Sequence, residues 1–263
     1  MLAACCEKVG EIPLRIYLTS RVLVEDSGTL LDERRLMGRQ GRLAFAYLVG
    51  EHLRAVSRDE LAEELWLGEV PPPSWERSLS ALISKLRALL TSVGIPDVAL
   101  AGSFGHYQLL LPADVWIDVE AASQAIDHAE SALRGDRPQE AWGWAQVAYQ
   151  ISRRPFLTDE EGPWVTLKRS ELRDVLVRAH ECLSEPSIFH TEPEYAVKHA
   201  KEAVALEPYR ERSYQLLMRA HAAVGNRAEA LRVYERCRGL LSEELGVPPS
   251  PQTEAVYLDI LRS

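Results

Sequence analysis

The sequence is poor in cysteine and has no long apolar run. Its four cysteines, Cys5, Cys6, Cys182 and Cys237, follow no CxxC or zinc-ligand spacing, whereas disulfide scaffolds need a much denser set. Charged residues interrupt the apolar stretches well short of the roughly 20 residues that a membrane helix requires. The first ten residues have no apolar core of the kind found in signal peptides. We therefore expect a cytoplasmic protein in a reducing compartment, with no membrane partner.

The motifs of common enzyme classes are also absent. The chain contains no GxSxG, GxxxxGK[ST], GxGxxG or HExxH pattern, so the sequence gives no sign of a serine hydrolase, nucleotide-binding or zinc-protease site. His180 and Cys182 stand two positions apart in a helical segment and therefore face different sides of the helix. We expect both to be structural, and the chain to be a non-enzyme without a catalytic site, metal or cofactor.

The charge is unevenly distributed along the chain, whose formal net charge is -9. Residues 1–113 carry 12 Lys and Arg against 14 Asp and Glu, and residues 114–263 carry 18 against 25. This balance excludes nucleic-acid binding through a generally basic surface. Any DNA site in the first half must be a local basic face.

The first 113 residues predict strands, then three helices, then a hairpin. Ser57 and Glu60 form an S-x-x-E capping box, in which the hydroxyl and the carboxylate bond backbone amides reciprocally. Pro71 to Pro73 separate the second helix from the third, because proline cannot continue a helix. This order is that of a winged helix, with the third helix as the DNA reader and the hairpin as the wing. The predicted elements are strands in 12–25 and at 30–31, helices over 42–52, 57–66 and 75–92, and a hairpin over 98–111.

Residues 114–263 predict helices with an internal repeat. Three positions recur after 34 residues: Ala196, Ala200 and Ala203 return as Ala230, Tyr234 and Cys237. This is the tetratricopeptide period, in which small residues allow two helices to pack closely. The same spacing at Ala141, Ala145 and Ala148 lies 55 residues earlier than the first of these sets, which requires a longer connection over about 153–168. A generic alanine-rich bundle is the alternative, but the shared register favours the repeat.

The sequence thus predicts a mainly α protein of two domains. Residues 1–113 form an N-terminal winged helix of the α+β class, and residues 114–263 form an all-α, tetratricopeptide-like repeat domain.

The third helix combines a buried stripe with a small and basic outer face. The stripe consists of Leu79, Leu82 or Ile83, Leu86 and Leu90. Small residues allow a helix backbone to approach the major groove, and Lys or Arg then reach phosphates or guanine edges. An ordinary solvated face is the alternative for this helix by itself, but the elements around it favour DNA reading. The predicted contacts on the helix are Arg77, Ser80, Ala81, Ser84, Lys85 and Arg87.

Two further clusters are predicted to contact DNA. Arg39 and Arg42 precede or open the first helix, where free backbone amides also favour anions. Ser103, His106 and Gln108 lie on the hairpin. We expect both clusters to add contacts to those of the third helix.

Both halves contain segments that resemble a known family. The first half resembles the OmpR-type winged helix, and the second half is similar to the bacterial transcriptional activator domain. Together, over about residues 12–262, they resemble the antibiotic regulatory protein (SARP) family of transcriptional activators. The segments are SRDELAEELW (57–66), ISKLR (83–87) and GHY (105–107) in the first half, then AVALEPYRE (203–211), LMRA (217–220), GNRAEAL (225–231), YERCR (234–238) and ELGVPPSP (244–251) in the second.

The resemblance implies a function and its partners. A SARP-like protein is expected to bind direct repeats at promoter DNA, with two protomers side by side as a homodimer on the DNA. It is also expected to recruit RNA polymerase through the sigma or alpha subunit. The loop 67–74 lies where the family contacts polymerase, which implies a role for Glu69, Val70 and Ser74.

A protein-interaction module is the competing hypothesis. In this case the repeat domain binds a partner, and the winged helix binds DNA weakly or not at all. The acidic balance supports it, as does Gln108, because the resembling family usually has an arginine there. The concave groove of the repeats is a further candidate surface for a peptide or an effector.

Overall fold

The computed structural model describes residues 14–26, 28–67, 71–92, 99–189 and 192–263. They form two compact units. The first contains the described residues up to Glu120 together with Arg154–Arg169, and the second contains Ala121–Arg153 and Ser170–Ser263. The sequence instead predicted one boundary after residue 113. The predicted connection within the repeat domain, at about 153–168, is therefore largely part of the first unit.

The first unit has the element order of a winged helix. A four-stranded sheet has the order β3-β2-β1-β7, and a second sheet, β4-β6-β5, contains the wing hairpin. Strand β7 pairs in parallel with β1, which places residues beyond 113 in this unit. The elements are β1 (Arg15–Tyr17), β2 (Leu23–Asp26), β3 (Thr29–Asp32), α1 (Gly38–Gly50), β4 (Val56–Ser57), α2 (Arg58–Leu65), α3 (Trp75–Ser92), β5 (Ala99–Ser103), β6 (His106–Leu110) and β7 (Trp116–Ile117).

Helix α1 is the core of this unit. All seven residues from Leu43 to Val49 are buried, and the helix contacts α2, α3 and β6. It begins at Gly38, four residues before the predicted start. Gly41 lies so close to the chain at Leu36 that a Cβ would sit 1.7 Å from the Leu36 carbonyl oxygen. The early start therefore depends on a close approach that only glycine permits.

The capping box at the start of α2 is confirmed. Ser57 Oγ accepts a hydrogen bond from the Glu60 backbone amide at 3.1 Å. The Glu60 carboxylate accepts further bonds from the Tyr47 hydroxyl, at 2.6 Å, and from the Arg54 guanidinium. The bonds from Arg54, with that from Tyr47 and one from the Ser57 backbone, hold the pKa of the Glu60 carboxyl at about 2. A fixed negative charge thus joins α2 to α1.

The segment Arg154–Arg169 is held on the first unit by aromatic packing and hydrogen bonds. The Trp164 ring lies 4.9 Å from the Tyr47 ring, and its indole N–H donates to the Glu51 carboxylate at 3.0 Å. The Arg169 guanidinium donates to three backbone carbonyls of the same segment, those of Phe156, Leu157 and Glu160. These bonds join the first turns of α6 (Pro163–Phe189) to the irregular loop that precedes it.

The second unit is helical. Helices α7 (Pro193–Leu206) and α8 (Glu211–Ala223) pack on each other, as do α8 and α9 (Arg227–Leu240), and α10 (Pro251–Arg262) packs on both α8 and α9. The alanines singled out by the repeat, Ala141 to Ala148 and Ala196 to Ala203, are fully buried between helices, which confirms the tetratricopeptide-like architecture. Helices α4 and α6 each have their first residues assigned to the first unit and the rest to the second. The helices are α4 (Asp118–Arg134), α5 (Pro138–Ser152), α6 (Pro163–Phe189), α7 (Pro193–Leu206), α8 (Glu211–Ala223), α9 (Arg227–Leu240) and α10 (Pro251–Arg262).

A buried histidine pair lies between α6 and α7. The Nδ1 atoms of His180 and His199 are 2.8 Å apart, and the Tyr149 ring packs edge-on against both imidazoles. Burial lowers the pKa of both to about 4, and the Lys198 ammonium acts in the same direction. The pair is therefore neutral at pH 7. Nearby Cys182 is buried, which raises the pKa of its thiol to about 12.

The described residues contain neither a cluster of metal-ligating side chains nor a membrane-spanning helix. Within the described ranges, no three or more His, Cys, Asp or Glu side chains are grouped as metal ligands. Among the helices described, none is both long enough and apolar enough to cross a bilayer.

The contact between Gly50 and Trp164 gives a first prediction. A Cβ on Gly50 would lie 2.7 Å from Trp164 Cζ2, whereas a Cβ on Gly143, within α5, would meet nothing within 4 Å. We expect Gly50→Ala to destabilise the first unit by about 1–3 kcal/mol through overpacking. Gly143→Ala should stabilise its helix by about 0.5–1 kcal/mol. Thermal unfolding followed by circular dichroism measures the melting temperatures of both variants. Equal shifts in melting temperature would contradict the close contact between Gly50 and Trp164.

The histidine pair gives a second prediction. Because the folded-state pKa of about 4 lies below the ordinary value of about 6.5, the unfolded chain binds more protons between these pH values. The contribution of the neutral histidine pair to the free energy of unfolding is therefore fully present above about pH 6.5 and is lost as the pH falls towards 4. The variant His199→Asn should reduce proton uptake on unfolding near pH 5 by about one. Urea unfolding between pH 5 and 7 measures this, and an unchanged pH dependence would contradict it.

Candidate nucleic-acid interface

Helix α3 has the two faces that its sequence predicts. Leu79, Ile83, Leu86 and Leu90 are at most 3% exposed, so Ile83 rather than Leu82 completes the buried stripe. Successive residues turn by about 100° around a helix, which places Arg77, Ala81 and Ser84 opposite this stripe. The predicted bounds of the helix, 75 and 92, are those observed.

The six predicted DNA-contacting residues of α3 are all exposed. Apart from Arg87, their side chains form no hydrogen bond or ion pair with any residue in the described part of the chain. This free set is Arg77, Ser80, Ala81, Ser84 and Lys85, which we call the open face of α3. It contains two cations, two hydroxyls and one methyl group, and no carboxylate.

Arg87 has a structural partner in the wing. Its Nε donates to the Leu100 carbonyl in β5 at 2.9 Å. Its Nη2 lies 3.6 Å from the position that a Cβ on Gly102 would occupy. The guanidinium therefore lies along β5 and joins α3 to the wing, and only its remaining N–H groups are available to a ligand.

The wing is an antiparallel hairpin whose pairing runs from Ala99↔Leu110 to Ser103↔His106. Phe104 and Gly105 form a two-residue turn with φ angles of 48° and 80°. Ser103 and His106 are exposed on either side of the turn.

Two bonds attach the wing to its neighbours. The Gly105 carbonyl accepts from the Arg58 backbone amide at 3.0 Å. Gln108 Nε2 donates to the His52 carbonyl at 3.1 Å. Gln108 thus holds the wing against the end of α1, and its amide nitrogen is occupied.

Arg39 and Arg42 bind a buried carboxylate. Arg39 Nε lies 2.9 Å from Glu160 Oε2, and Arg42 Nη2 lies 2.7 Å from Glu160 Oε1. The Glu160 side chain is fully buried, whereas that of Arg39 is 51% exposed. A buried carboxylate requires such partners, because desolvation penalises an unpaired charge. Any DNA contact from these two arginines therefore competes with this pairing and stays a prediction.

The predicted polymerase-contacting residues are only partly described. Glu69 and Val70 lie outside the described residues, whereas the Ser74 carbonyl accepts from the Ser78 backbone amide at 3.1 Å. Trp66 and Trp75, at the two ends of this loop, meet edge-to-face with ring centroids 6.5 Å apart. They border a groove of about 680 Å³ that is also lined by Asp59, Glu63, Glu64 and Pro71. Carboxylates and indoles suit a protein partner rather than DNA.

Two exposed residues near the wing were missed by sequence reasoning. Arg58 is exposed in the first turn of α2, where its backbone amide binds the turn of the wing. The SRDE segment placed this arginine at a helix start, but it was read only for its cap. Phe104 at the tip of the wing is fully exposed. The sequence predicted a hairpin with its turn within 102–105, but only the strand register puts Phe104 at the tip.

Comparison with known proteins places the chain in a family. The model of the bacterial transcriptional activator domain matches residues 117–261. The transcriptional regulatory protein MoaR1 of Mycobacterium tuberculosis is 28% identical over 226 residues, which are 84% of this chain and 71% of MoaR1. The regulatory protein AfsR of Streptomyces coelicolor is 29% identical over 85% of this chain and 22% of AfsR.

A solved relative has the same fold. The structure of Mycobacterium tuberculosis EmbR in complex with a low-affinity phosphopeptide matches with a TM-score of 0.82 and 27% identity, over 95% of this chain. This chain spans 65% of that EmbR chain. The phosphopeptide is a ligand of EmbR. The family model, the relatives and the fold agree: the chain belongs to the bacterial transcriptional activator domain family, as a transcriptional regulator of the SARP type.

Proposed function

We propose that this protein is a transcriptional activator that binds promoter DNA sequence-specifically through α3. The observation that carries the proposal is the open face of α3, because its side chains are exposed and have no partner among the described residues. An exposed helical face of this composition fits a major groove, where base edges present a distinct pattern for each base pair.

Each member of the open face has a role suited to its chemistry. Arg77 and Lys85 supply the positive charge, as phosphate contacts or as donors to guanine O6 and N7. Ser80 and Ser84 can donate or accept at base edges. Ala81 is short enough to let the helix backbone approach and to contact a thymine methyl group.

Activation requires a second surface, which we place at the loop 67–74. Its partner is RNA polymerase, through the sigma or alpha subunit, with Glu69, Val70 and Ser74 as candidate contacts. The adjacent groove supports this assignment because it combines Trp66 and Trp75 with carboxylates, and so favours a cationic and partly apolar protein segment. On direct repeats, two protomers would bind side by side as a homodimer formed on DNA. DNA and polymerase as partners place the protein in the cytoplasm.

A protein-interaction module is the second candidate function. It is favoured by a specific observation: several of the predicted DNA-contacting side chains already have protein partners. Arg39 and Arg42 bind Glu160, and Gln108 binds the His52 carbonyl. In this case the repeats bind a protein partner, and the open face of α3 contributes little.

Lys85→Ala tests the first proposal. If Lys85 neutralises a phosphate, the affinity of the variant should fall less steeply with salt. The magnitude of the slope of log affinity against log salt concentration should decrease by about one. Lys201→Ala is the matched control, because Lys201 is an exposed lysine on a helix of the repeat unit. Fluorescence anisotropy is measured on duplexes selected from a random library by the parent protein. Parallel salt dependence of the two variants would contradict the role of Lys85, and failure to select any sequence would favour the interaction module.

Arg87→Met tests whether Arg87 is a structural residue. Methionine keeps the apolar stem but removes the bond from Arg87 Nε to the Leu100 carbonyl, so the wing should open more readily in the free protein. We expect backbone amides of β5 and β6 to exchange about 5–10-fold faster, as for the loss of a hydrogen bond of about 1 kcal/mol. Lys85→Met is the control, because Lys85 has no partner on the wing. Unchanged exchange in Arg87→Met would leave Arg87 free for DNA.

A further inference from the structure

Phe104 is a residue that neither the fold nor the open face of α3 explains. Its side chain is 100% exposed at the tip of the wing. An aromatic side chain buries roughly 150–250 Å² when it is covered, so full exposure forgoes a large apolar contact. Elsewhere in the hairpin, Leu100, Tyr107 and Leu109 are buried against the unit, and Leu110 is 46% exposed.

The backbone conformation of Phe104 is also unfavourable for phenylalanine. Its φ angle is 48°, and that of Gly105 is 80°. A two-residue hairpin turn with both angles positive favours Asn-Gly or Asp-Gly, because bulky side chains are disfavoured in the left-handed region. Phenylalanine at this position therefore has neither a conformational nor a packing advantage in the free protein. Residues held in such conformations are a reason to look for a function.

The tip of the wing is fixed in position. The Gly105 carbonyl accepts from the Arg58 backbone amide at 3.0 Å, and His106 Nδ1 lies 3.1 Å from the Phe104 carbonyl oxygen. On the side of α3, Arg87 holds β5 through Leu100. Phe104 is thus presented from a hairpin joined to α2 and α3.

The surroundings of Phe104 favour an anionic partner such as DNA over a basic one. Residues 99–110 contain no Asp or Glu, in a chain whose net charge is -9. Exposed Ser103 and His106 flank the ring along the hairpin. Exposed Arg58 is also near the turn, because its backbone amide donates to the Gly105 carbonyl. Apolar side chains on such surfaces enter the minor groove and pack against sugars and base edges, often at A·T-rich or flexible steps.

We propose that Phe104 is a minor-groove wedge, which packs against deoxyribose and base edges beside the base pairs that α3 contacts. This inference rests on the proposed DNA binding by α3. It assigns a preference for flanking A·T pairs to a residue that carries no charge. The exocyclic amino group of guanine occupies the minor groove of G·C pairs and would obstruct the ring, whereas A·T pairs leave that space open.

The test uses the full chain and Phe104→Asn. Asparagine suits the positive φ angle, so this variant should fold at least as stably as the parent while removing the wedge. On a selected duplex, its affinity should fall by roughly tenfold, as expected for loss of one aromatic contact. The salt slope should not change, because phenylalanine contacts no phosphate charge. Phe104→Leu, which keeps an apolar wedge, should lose less.

Base substitution shows which groove is involved. In the flanking A·T pairs, replacement by G·C should weaken binding of the parent, and replacement by inosine·C should restore it, because inosine lacks the minor-groove amino group but presents the major-groove pattern of guanine. Phe104→Asn should bind all three duplexes equally. Equal affinity of parent and Phe104→Asn, or a G·C effect that inosine does not relieve, would overturn the inference. Loss of affinity only on duplexes that bind two protomers would also overturn it, since Phe104 would then contact protein. Failure of the parent to bind any selected duplex would instead contradict the proposed function itself.

Discussion

The winged-helix unit depends on one helix, α1, whose central turns are buried on every side. Helix α1 buries every residue from Leu43 to Val49, so it has no solvent face to accommodate a change. Its neighbours α2, α3 and β6 take their positions from it, and Gly41 and Gly50 allow the chain at Leu36 and the Trp164 ring to approach closely. Burying one helix on all sides fixes the elements around it, as in other close-packed interiors.

A few hydrogen bonds hold the candidate interface on this buried core. Gln108 ties the wing to the end of α1, Arg87 ties it to α3, and the Arg58 amide ties its turn to α2. The open face of α3 and the tip of the wing are therefore held to the rest of the unit by hydrogen bonds. A binding surface on rigid elements loses less entropy on association than one built on free loops.

The sequence predicted those parts whose signals are local. The bounds of α3 could be predicted because its leucine periodicity lies between Pro73 and Gly94. The start of α2 could be predicted from Ser57 and Glu60. The repeat unit was recognisable because small residues recur at a fixed period. By contrast, the sequence around Glu160 has the composition of a solvated acidic loop, and nothing local indicates that two arginines more than 100 residues earlier surround its carboxylate. Because the sequence does not reveal this long-range pairing, Arg39 and Arg42 were predicted only as DNA contacts.

The most direct test of the central claim is a specificity ratio. Duplexes are selected from a random library by the parent protein, and the affinity for the best duplex is divided by that for an unrelated duplex of equal length at physiological salt. If the open face of α3 contacts base edges, the ratio should be at least about 10³, the usual lower range for specific DNA binding. A ratio near one, with the protein folded, would contradict it.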